Sequence, residues 1–165
     1  MSVSPLRNHI HQTTHPMILI SRSLLLIGFL FGLARLAAAD PMDMKSDMKP
    51  EILSAYVKVS TALAADDLVA AKAAATVLAE HAGMSDNKDI SAKANTLANA
   101  SKIEAARGAF RDLSVAVEPL AAEDKNLVVM YCPMADSDWV QQKGKTQNPY
   151  FGKAMLTCGA PKKAK

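Results

Sequence analysis

Four stretches within residues 50–122 carry apolar side chains at the three- and four-residue spacing of an amphipathic helix. The first begins at Pro50, a residue that suits the first helical position because its missing N–H would be unpaired there in any case. The residues predicted to face inward are Ile52, Tyr56, Val59 and Leu63; Leu68, Ala71, Ala75 and Leu78; Ile90, Ala94 and Leu97; and Ile103, Ala106, Phe110, Leu113 and Val117. Because the connections are short, the pattern predicts an antiparallel four-helix bundle.

Local signals predict where these helices begin and end. Asp66 or Asp67 is expected to cap the second helix rather than to bind a metal. Ser101 and Glu104 have the spacing of a capping box, in which each side chain accepts a hydrogen bond from a free backbone N–H at a helix start. Pro119 is expected to kink or end the fourth helix, since proline has no N–H to donate.

Beyond the fourth helix the pattern changes. Residues 127–131 (LVVMY) are β-branched, apolar and aromatic, and predict a strand, with residues 139–141 as a second one. Asn148 followed by Pro149 predicts a turn. The fold class predicted is therefore mainly α: a four-helix bundle followed by a small β-hairpin and a turn-rich tail, forming one domain over residues 50–160.

The N-terminal 39 residues have the pattern of an export signal. An apolar run at residues 23–34 follows Arg22 and precedes three alanines that end at Ala39. This predicts a secretory signal peptide cleaved after Ala39. The run is shorter than the roughly 20 residues that span a bilayer, although an uncleaved anchor is the alternative. Residues 1–16 are polar and precede Met17, a second candidate start. Export predicts the bacterial periplasm as the location.

Charge and composition exclude several classes of function. The chain has 19 Lys and Arg against 16 Asp and Glu, and the surplus lies before Asp40. The mature chain therefore has no basic excess with which to bind nucleic acid. It holds one histidine, His81, which is expected to be structural near a helix C-terminus. No nucleophile and base pairing follows from the spacing, so we expect neither an enzyme nor, after cleavage, a membrane protein.

Two short polar segments flank the predicted domain. Residues 40–49 form a methionine-rich linker in which Met42, Met44 and Met48 alternate with aspartates. This linker is either a solvated spacer or a weak Cu(I)-binding segment, because thioethers are soft ligands. Residues 161–165 are expected to be a frayed C-terminus.

The candidate chemistry lies in the C-terminal tail, which holds both cysteines, Cys132 and Cys158. In an exported protein an even pair first suggests a disulfide. Met134 would share a strand face with Cys132, and Met155 lies three residues before Cys158. Two thiolates and two thioethers are soft ligands that favour Cu(I) or Ag(I). The residues leave three alternatives: a disulfide with the methionines in the core, a metal site, or free structural thiols.

The same tail resembles a known family, the domain of unknown function 3347 family. The motifs that carry the resemblance are Tyr131-Cys132-Pro133-Met134-Ala135, Trp139, Asn148-Pro149-Tyr150-Phe151-Gly152 and Met155-Leu156-x-Cys158-Gly159. The helical stretches that begin at Glu51 and Ile103 are also similar, so the resemblance covers roughly residues 47–160. Members of the family occur as exported proteins and fused to periplasmic adaptor subunits of copper and silver efflux pumps.

The resemblance implies soft-metal handling and an efflux adaptor as partner. The first hypothesis is a periplasmic copper- or silver-binding protein with Cys132, Met134, Met155 and Cys158 as metal ligands. The alternative is a disulfide-stapled interaction module that docks on an efflux adaptor or another envelope protein and binds no metal. Trp139, Tyr150 and Phe151 are expected to be core residues, or else part of such a docking surface.

Overall fold

A computed structural model describes residues 48–163, which form four helices and a small three-stranded antiparallel sheet. The predicted signal peptide, with Met42 and Met44 of the linker, lies outside the described residues. The elements are α1 (Lys49–Ala64), α2 (Leu68–Met84), α3 (Lys88–Ala98), α4 (Ile103–Ala121), β1 (Leu127–Cys132), β2 (Ser137–Gln142), a 3₁₀ turn (Gly152–Met155) and β3 (Ala160–Pro161). Within residues 48–163, no helix combines the length and apolar content needed to cross a membrane.

The helix ends follow the sequence signals only in part. Asp67 caps α2 as predicted, because its carboxylate accepts a hydrogen bond of 2.9 Å from the N–H of Ala70. The capping box predicted from Ser101 and Glu104 is wrong. Helix α4 begins one residue later than that box requires, with Lys102 at the cap position and no side-chain cap. Pro119 lies in the last turn of α4, which continues to Ala121 before it ends.

The predicted inward faces of the helices form the core. All of the inward-facing residues named above are buried except Leu68 and Ile103, which pack against the core at its edge. Trp139 and Val140 of β2 and Met130 of β1 belong to the same cluster. The sheet therefore packs against the helices, and its buried side chains extend the same core.

The sheet has the order β2-β1-β3, with β1 antiparallel to both neighbours. Cys132, the last residue of β1, pairs with Ser137, and Tyr131 pairs with Ala160 of β3. Strand β3 has only two residues and was not predicted. It brings the end of the chain back beside the end of β1, so that Cys158 comes near Cys132.

A buried hydroxyl relay joins the helices to the sheet. The phenol oxygen of Tyr56 in α1 accepts from the N–H of Val140 at 3.2 Å and lies 2.6 Å from the hydroxyl of Ser114. The Ser114 hydroxyl donates to the carbonyl of Phe110 at 2.8 Å, so the Tyr56 hydroxyl is the donor to Ser114. The Tyr56 ring also stacks on Phe110, with ring centroids 5.2 Å apart. One side chain thus connects α1, α4 and β2.

Substitution Tyr56→Phe should destabilise the protein by about 1–3 kcal/mol, because it leaves the buried N–H of Val140 without an acceptor. Urea unfolding of both proteins measures the difference. The matched control is Tyr131→Phe. It removes a hydroxyl that donates to Asp136, but from a tyrosine that is exposed. That control should change the free energy of unfolding by less than about 0.5 kcal/mol. Equal effects of the two substitutions would contradict the relay.

Stability should also fall at alkaline pH. Burial raises the pKa of Tyr150 to about 12 and raises that of Tyr56 still further. Tyrosines of the unfolded chain ionise near pH 10, so between about pH 10 and pH 12 the unfolded state binds fewer protons than the native state. The free energy of unfolding should decrease there by about 1.4 kcal/mol per pH unit for each buried tyrosine. Urea unfolding across this range tests the slope, and Tyr150→Phe should reduce it. A slope unchanged in that variant would contradict the assignment to Tyr150.

Candidate metal centre

The structure brings the two cysteines together. The Sγ atoms of Cys132 and Cys158 lie 3.4 Å apart, and both thiols are free. Cys132 ends β1 and is fully buried, whereas Cys158 is partly exposed. Cys158 follows the 3₁₀ turn, and its N–H donates to the carbonyl of Met155 at 3.0 Å. One sulfur therefore faces the core while the other can be reached from solvent.

The spacing of the sulfurs suits more than one chemistry. In a disulfide the two sulfurs are about 2.05 Å apart, so they would have to move more than about 1 Å closer together for the bond to form. Two thiolates that bind one ion at about 2.3 Å each lie roughly 3.7 Å apart at the tetrahedral angle, and further apart at wider angles. The observed 3.4 Å lies nearer to that second arrangement. Small side-chain rotations reach either state.

The two thiols differ in acidity. Burial opposes ionisation of Cys132, but the backbone amide of Ala135, the Cys158 thiol, the side-chain amide of Asn148 and the backbone amide of Met134 outweigh it and lower the pKa of Cys132. The pKa of Cys158 is raised because its thiol donates to Cys132, and because of partial burial and the nearby Cys132 charge. The surroundings of the pair thus favour ionisation of Cys132 before that of Cys158, and a metal ion bound to both sulfurs would displace their protons.

Asn148 holds this pair in place. Its side chain is fully buried, and its Nδ2 donates to the sulfur of Cys132 at 3.1 Å and to the carbonyl of Cys158 at 2.6 Å. Its Oδ1 accepts from the N–H of Tyr150 at 2.8 Å and of Phe151 at 3.2 Å. The amide has partners at both ends, as a buried polar group requires. In the sequence Asn148 gave only a turn signal, and its place between the two cysteine motifs was the available hint of a further role.

Two glycines let the loop that carries Cys158 close over the site. Gly152 has φ 55°, and a Cβ there would collide with the side chains of Asp66 and Arg107. Gly159 has φ 133°, and a Cβ there would collide with the ring of Trp139. Positive φ and these close approaches both require glycine. The packing of the loop against Trp139 sets the position of Cys158.

The two methionines flank the thiols but are not core residues. The backbone amide of Met134 lowers the pKa of both cysteines, while its side chain is 65% exposed. Met155 is 37% exposed and contributes the carbonyl that Cys158 contacts. The alternative in which both methionines belong to the core is therefore wrong.

The other residues named in the sequence analysis have structural roles. Trp139 and Tyr150 are buried, as predicted for core residues, and Phe151 packs against the core from its edge. His81 lies in the last turn of α2, as predicted. Asp66 forms an ion pair with Arg107 and also accepts from the N–H of Lys153 at 3.2 Å. Within residues 48–163, no group of three or more His, Cys, Asp or Glu side chains is placed to hold a metal ion.

Comparison with known proteins assigns the helical part of the chain. Residues 52–127 match the family model described as protein of unknown function (DUF3347), and this part of the chain belongs to that family. The predicted family membership is confirmed. The match ends at the start of β1, before either cysteine. No curated protein and no solved structure matches the chain.

Substitution Asn148→Ala should destabilise the protein by about 2–5 kcal/mol, because it removes the acceptor of the buried Tyr150 N–H and the partly buried Phe151 N–H and the donor to the Cys158 carbonyl. Urea unfolding under reducing conditions measures the loss. Gln147→Ala is the matched control, since that neighbouring side chain is exposed. The control should stay within about 0.5 kcal/mol of the unsubstituted protein. A similar small effect of Asn148→Ala would mean that the amide does not hold the loop.

Proposed function

We propose that this member of the DUF3347 family binds Cu(I) or Ag(I) as cargo, with Cys132 and Cys158 as the principal ligands. The observation that carries the proposal is the sulfur pair at 3.4 Å, in which hydrogen bonds from nearby amides lower the pKa of Cys132. Two sulfurs already this close need little rearrangement to take up one ion. Hydrogen bonds from surrounding amides to the sulfur are typical of the outer shell that orients metal ligands.

Ligand softness selects the metal. Thiolates and thioethers prefer Cu(I) over hard ions such as Mg²⁺ and Ca²⁺. A structural zinc site needs four ligands, and the tail offers no histidine or further cysteine to complete one. The exposed thioether of Met134 or Met155 is proposed as the third ligand. Because neither side chain is packed in the core, either could rotate toward the sulfurs without loss of core contacts.

The location and partner are proposed from the sequence. The apolar run followed by alanines in the first 39 residues supports export to the periplasm with cleavage after Ala39. The resemblance to domains fused to efflux adaptors supports such an adaptor as the partner that receives the ion. In this proposal the protein sequesters or transfers metal and catalyses no reaction. The Met42, Met44 and Met48 linker adds weak extra capacity.

We also infer the finer arrangement of the fold. The helix connections at residues 65–67, 85–87 and 99–102 are short, which favours antiparallel packing of consecutive helices in a bundle. The antiparallel pairing of β1 and β2 across residues 133–136 supports a hairpin that presents Cys132 and Met134 together.

The second candidate function is a disulfide-stapled interaction module. The distance of 3.4 Å between the sulfurs also favours this candidate, since oxidation could join them. A disulfide between Cys132 and Cys158, which are 26 positions apart in the chain, would stabilise the protein by about 3–4 kcal/mol, mainly by restricting the unfolded chain. The oxidising periplasm would maintain it. The two candidates differ in whether the reduced protein binds metal.

The reduced protein should bind about one equivalent of Cu(I) in competition with a Cu(I) chelator. The double variant Cys132→Ser, Cys158→Ser should lose this binding, because serine hydroxyls are hard and remain protonated. The double variant Met134→Leu, Met155→Leu should bind about tenfold more weakly, through loss of one thioether. Met84→Leu is the matched control, since Met84 is 60% exposed on α2 and should not affect binding.

Two results would overturn the proposal. Equal Cu(I) binding by the cysteine double variant would remove the tail from the mechanism. Failure of the reduced protein to compete at all would favour the interaction module, and a thiol count of zero in the protein as purified would then support the disulfide. Circular dichroism of the cysteine variant shows whether its helices are retained, as expected for a core built mainly from the helices.

A further inference from the structure

A second candidate site lies on the other side of the turn that follows Cys132. A cleft of about 560 Å³ opens between α4 and the loops around Met134 and Tyr150. This volume lies in the range of small-molecule sites, about 300–1,000 Å³. The residues that define the cleft are Arg107, Gly108, Arg111, Met134, Tyr150 and Phe151. The cleft shares Met134 with the proposed metal centre, but neither cysteine lines it.

Arg111 brings a fixed positive charge to this cleft. Its Nε donates to the hydroxyl of Ser137 at 2.6 Å, and its Nη2 donates to the carbonyl of Ala135 at 3.2 Å. The guanidinium carbon lies 5.9 Å from the ring centroid of Tyr150. Among residues 48–163 no carboxylate lies within ion-pairing distance of Arg111, and Nη1 has no hydrogen-bond partner. The guanidinium is therefore positioned by hydrogen bonds, and no side chain of the described residues serves as its counterion.

The other charged groups of the cleft do not neutralise Arg111. Arg107, one helical turn earlier, is paired with Asp66 and also donates to backbone carbonyls. Glu104 is the carboxylate that lines the cleft, and it precedes Arg111 by seven residues. That separation is about 10 Å along the helix axis, and within residues 48–163 Glu104 and Arg111 form no ion pair. A bound anion would thus provide the Arg111 guanidinium with a counterion.

Gly108 lies at the wall of the cleft. It lies in the interior of α4, where glycine is disfavoured relative to alanine because it loses more backbone entropy. A Cβ at this position would meet no atom of other elements within 4 Å, so packing does not require glycine. The position faces open space at the cleft, so a side chain larger than that of alanine would extend into it.

We propose that this cleft binds a carboxylate joined to an apolar or aromatic body. Arg111 pairs with the carboxylate through its free Nη1, and Tyr150 and Phe151 contact the body over the space left by Gly108. Charged hydrogen bonds of this kind are stronger than neutral ones. The carboxylate could belong to a free organic acid or to the C-terminus of a peptide, since both present the same chemistry. The proposal does not depend on metal binding.

The test is a titration of the reduced, metal-free protein followed by NMR. The probe is 3-phenylpropionate, and its matched control is 3-phenylpropionamide, which has the same body without the charge. We expect saturable shifts of the Arg111 side chain and of the Tyr150 and Phe151 amides, with the acid binding at least tenfold more tightly than the amide. A tripeptide ending in phenylalanine, compared with its C-terminally amidated form, distinguishes a peptide terminus from a free acid as the preferred source.

Two substitutions on the same helix test the cleft itself. Gly108→Leu should weaken binding of the acid at least tenfold by filling the space, while raising Tm because leucine favours a helix. Ala105→Leu is the matched control, because Ala105 is exposed on α4 and does not line the cleft. It should leave binding unchanged. Equal binding of acid and amide, or unchanged binding in Gly108→Leu, would overturn the proposal.

Discussion

The buried amide of Asn148 is the interaction on which the C-terminal part of this structure depends. It contacts the sulfur of Cys132 and the carbonyl of Cys158 through one end, and the amides of Tyr150 and Phe151 through the other. Because the amide is fully buried, its own donor and acceptor groups depend on these partners. A single side chain thus joins Cys132, the loop that carries Cys158, and the two aromatic residues that line the cleft.

This tail is in turn connected to the helices through aromatic side chains. Four aromatic rings form a row in which Tyr56 stacks on Phe110, Phe110 lies beside Tyr150, and Tyr150 meets Trp139 edge-on. The successive distances between ring centroids are 5.2, 5.7 and 6.1 Å. The polar tips of Tyr56 and Tyr150 are both hydrogen-bonded, so the row combines apolar burial with satisfied hydroxyls. The cysteine pair therefore lies on a rigid support, which keeps the sulfurs close without a covalent bond.

The turn after Cys132 links the proposed metal centre to the cleft. The backbone amide of Ala135 favours the thiolate of Cys132, while the carbonyl of the same residue accepts from Arg111. Met134, between them, adds a backbone amide to the sulfur side and a largely exposed side chain to the cleft. Residues of one short turn therefore contact both Cys132 and Arg111, because each peptide group presents its N–H and its C=O in different directions.

The helical faces, the strand at residues 127–131 and the family could be predicted from the sequence, because they follow from local periodicity and local motifs. The cysteines and methionines could also be recognised as soft ligands, since softness is a property of the residue types. Which of these groups meet depends on how the chain folds in three dimensions. The approach of Cys158 to Cys132 depends on β3, on Gly159 beside Trp139 and on the buried amide of Asn148, all of which involve contacts between distant parts of the chain. The capping box at Ser101 failed for a related reason: its spacing is correct, but α4 begins one residue later. Spacing along a chain specifies which groups could pair, whereas packing of the whole domain determines which of them are buried together.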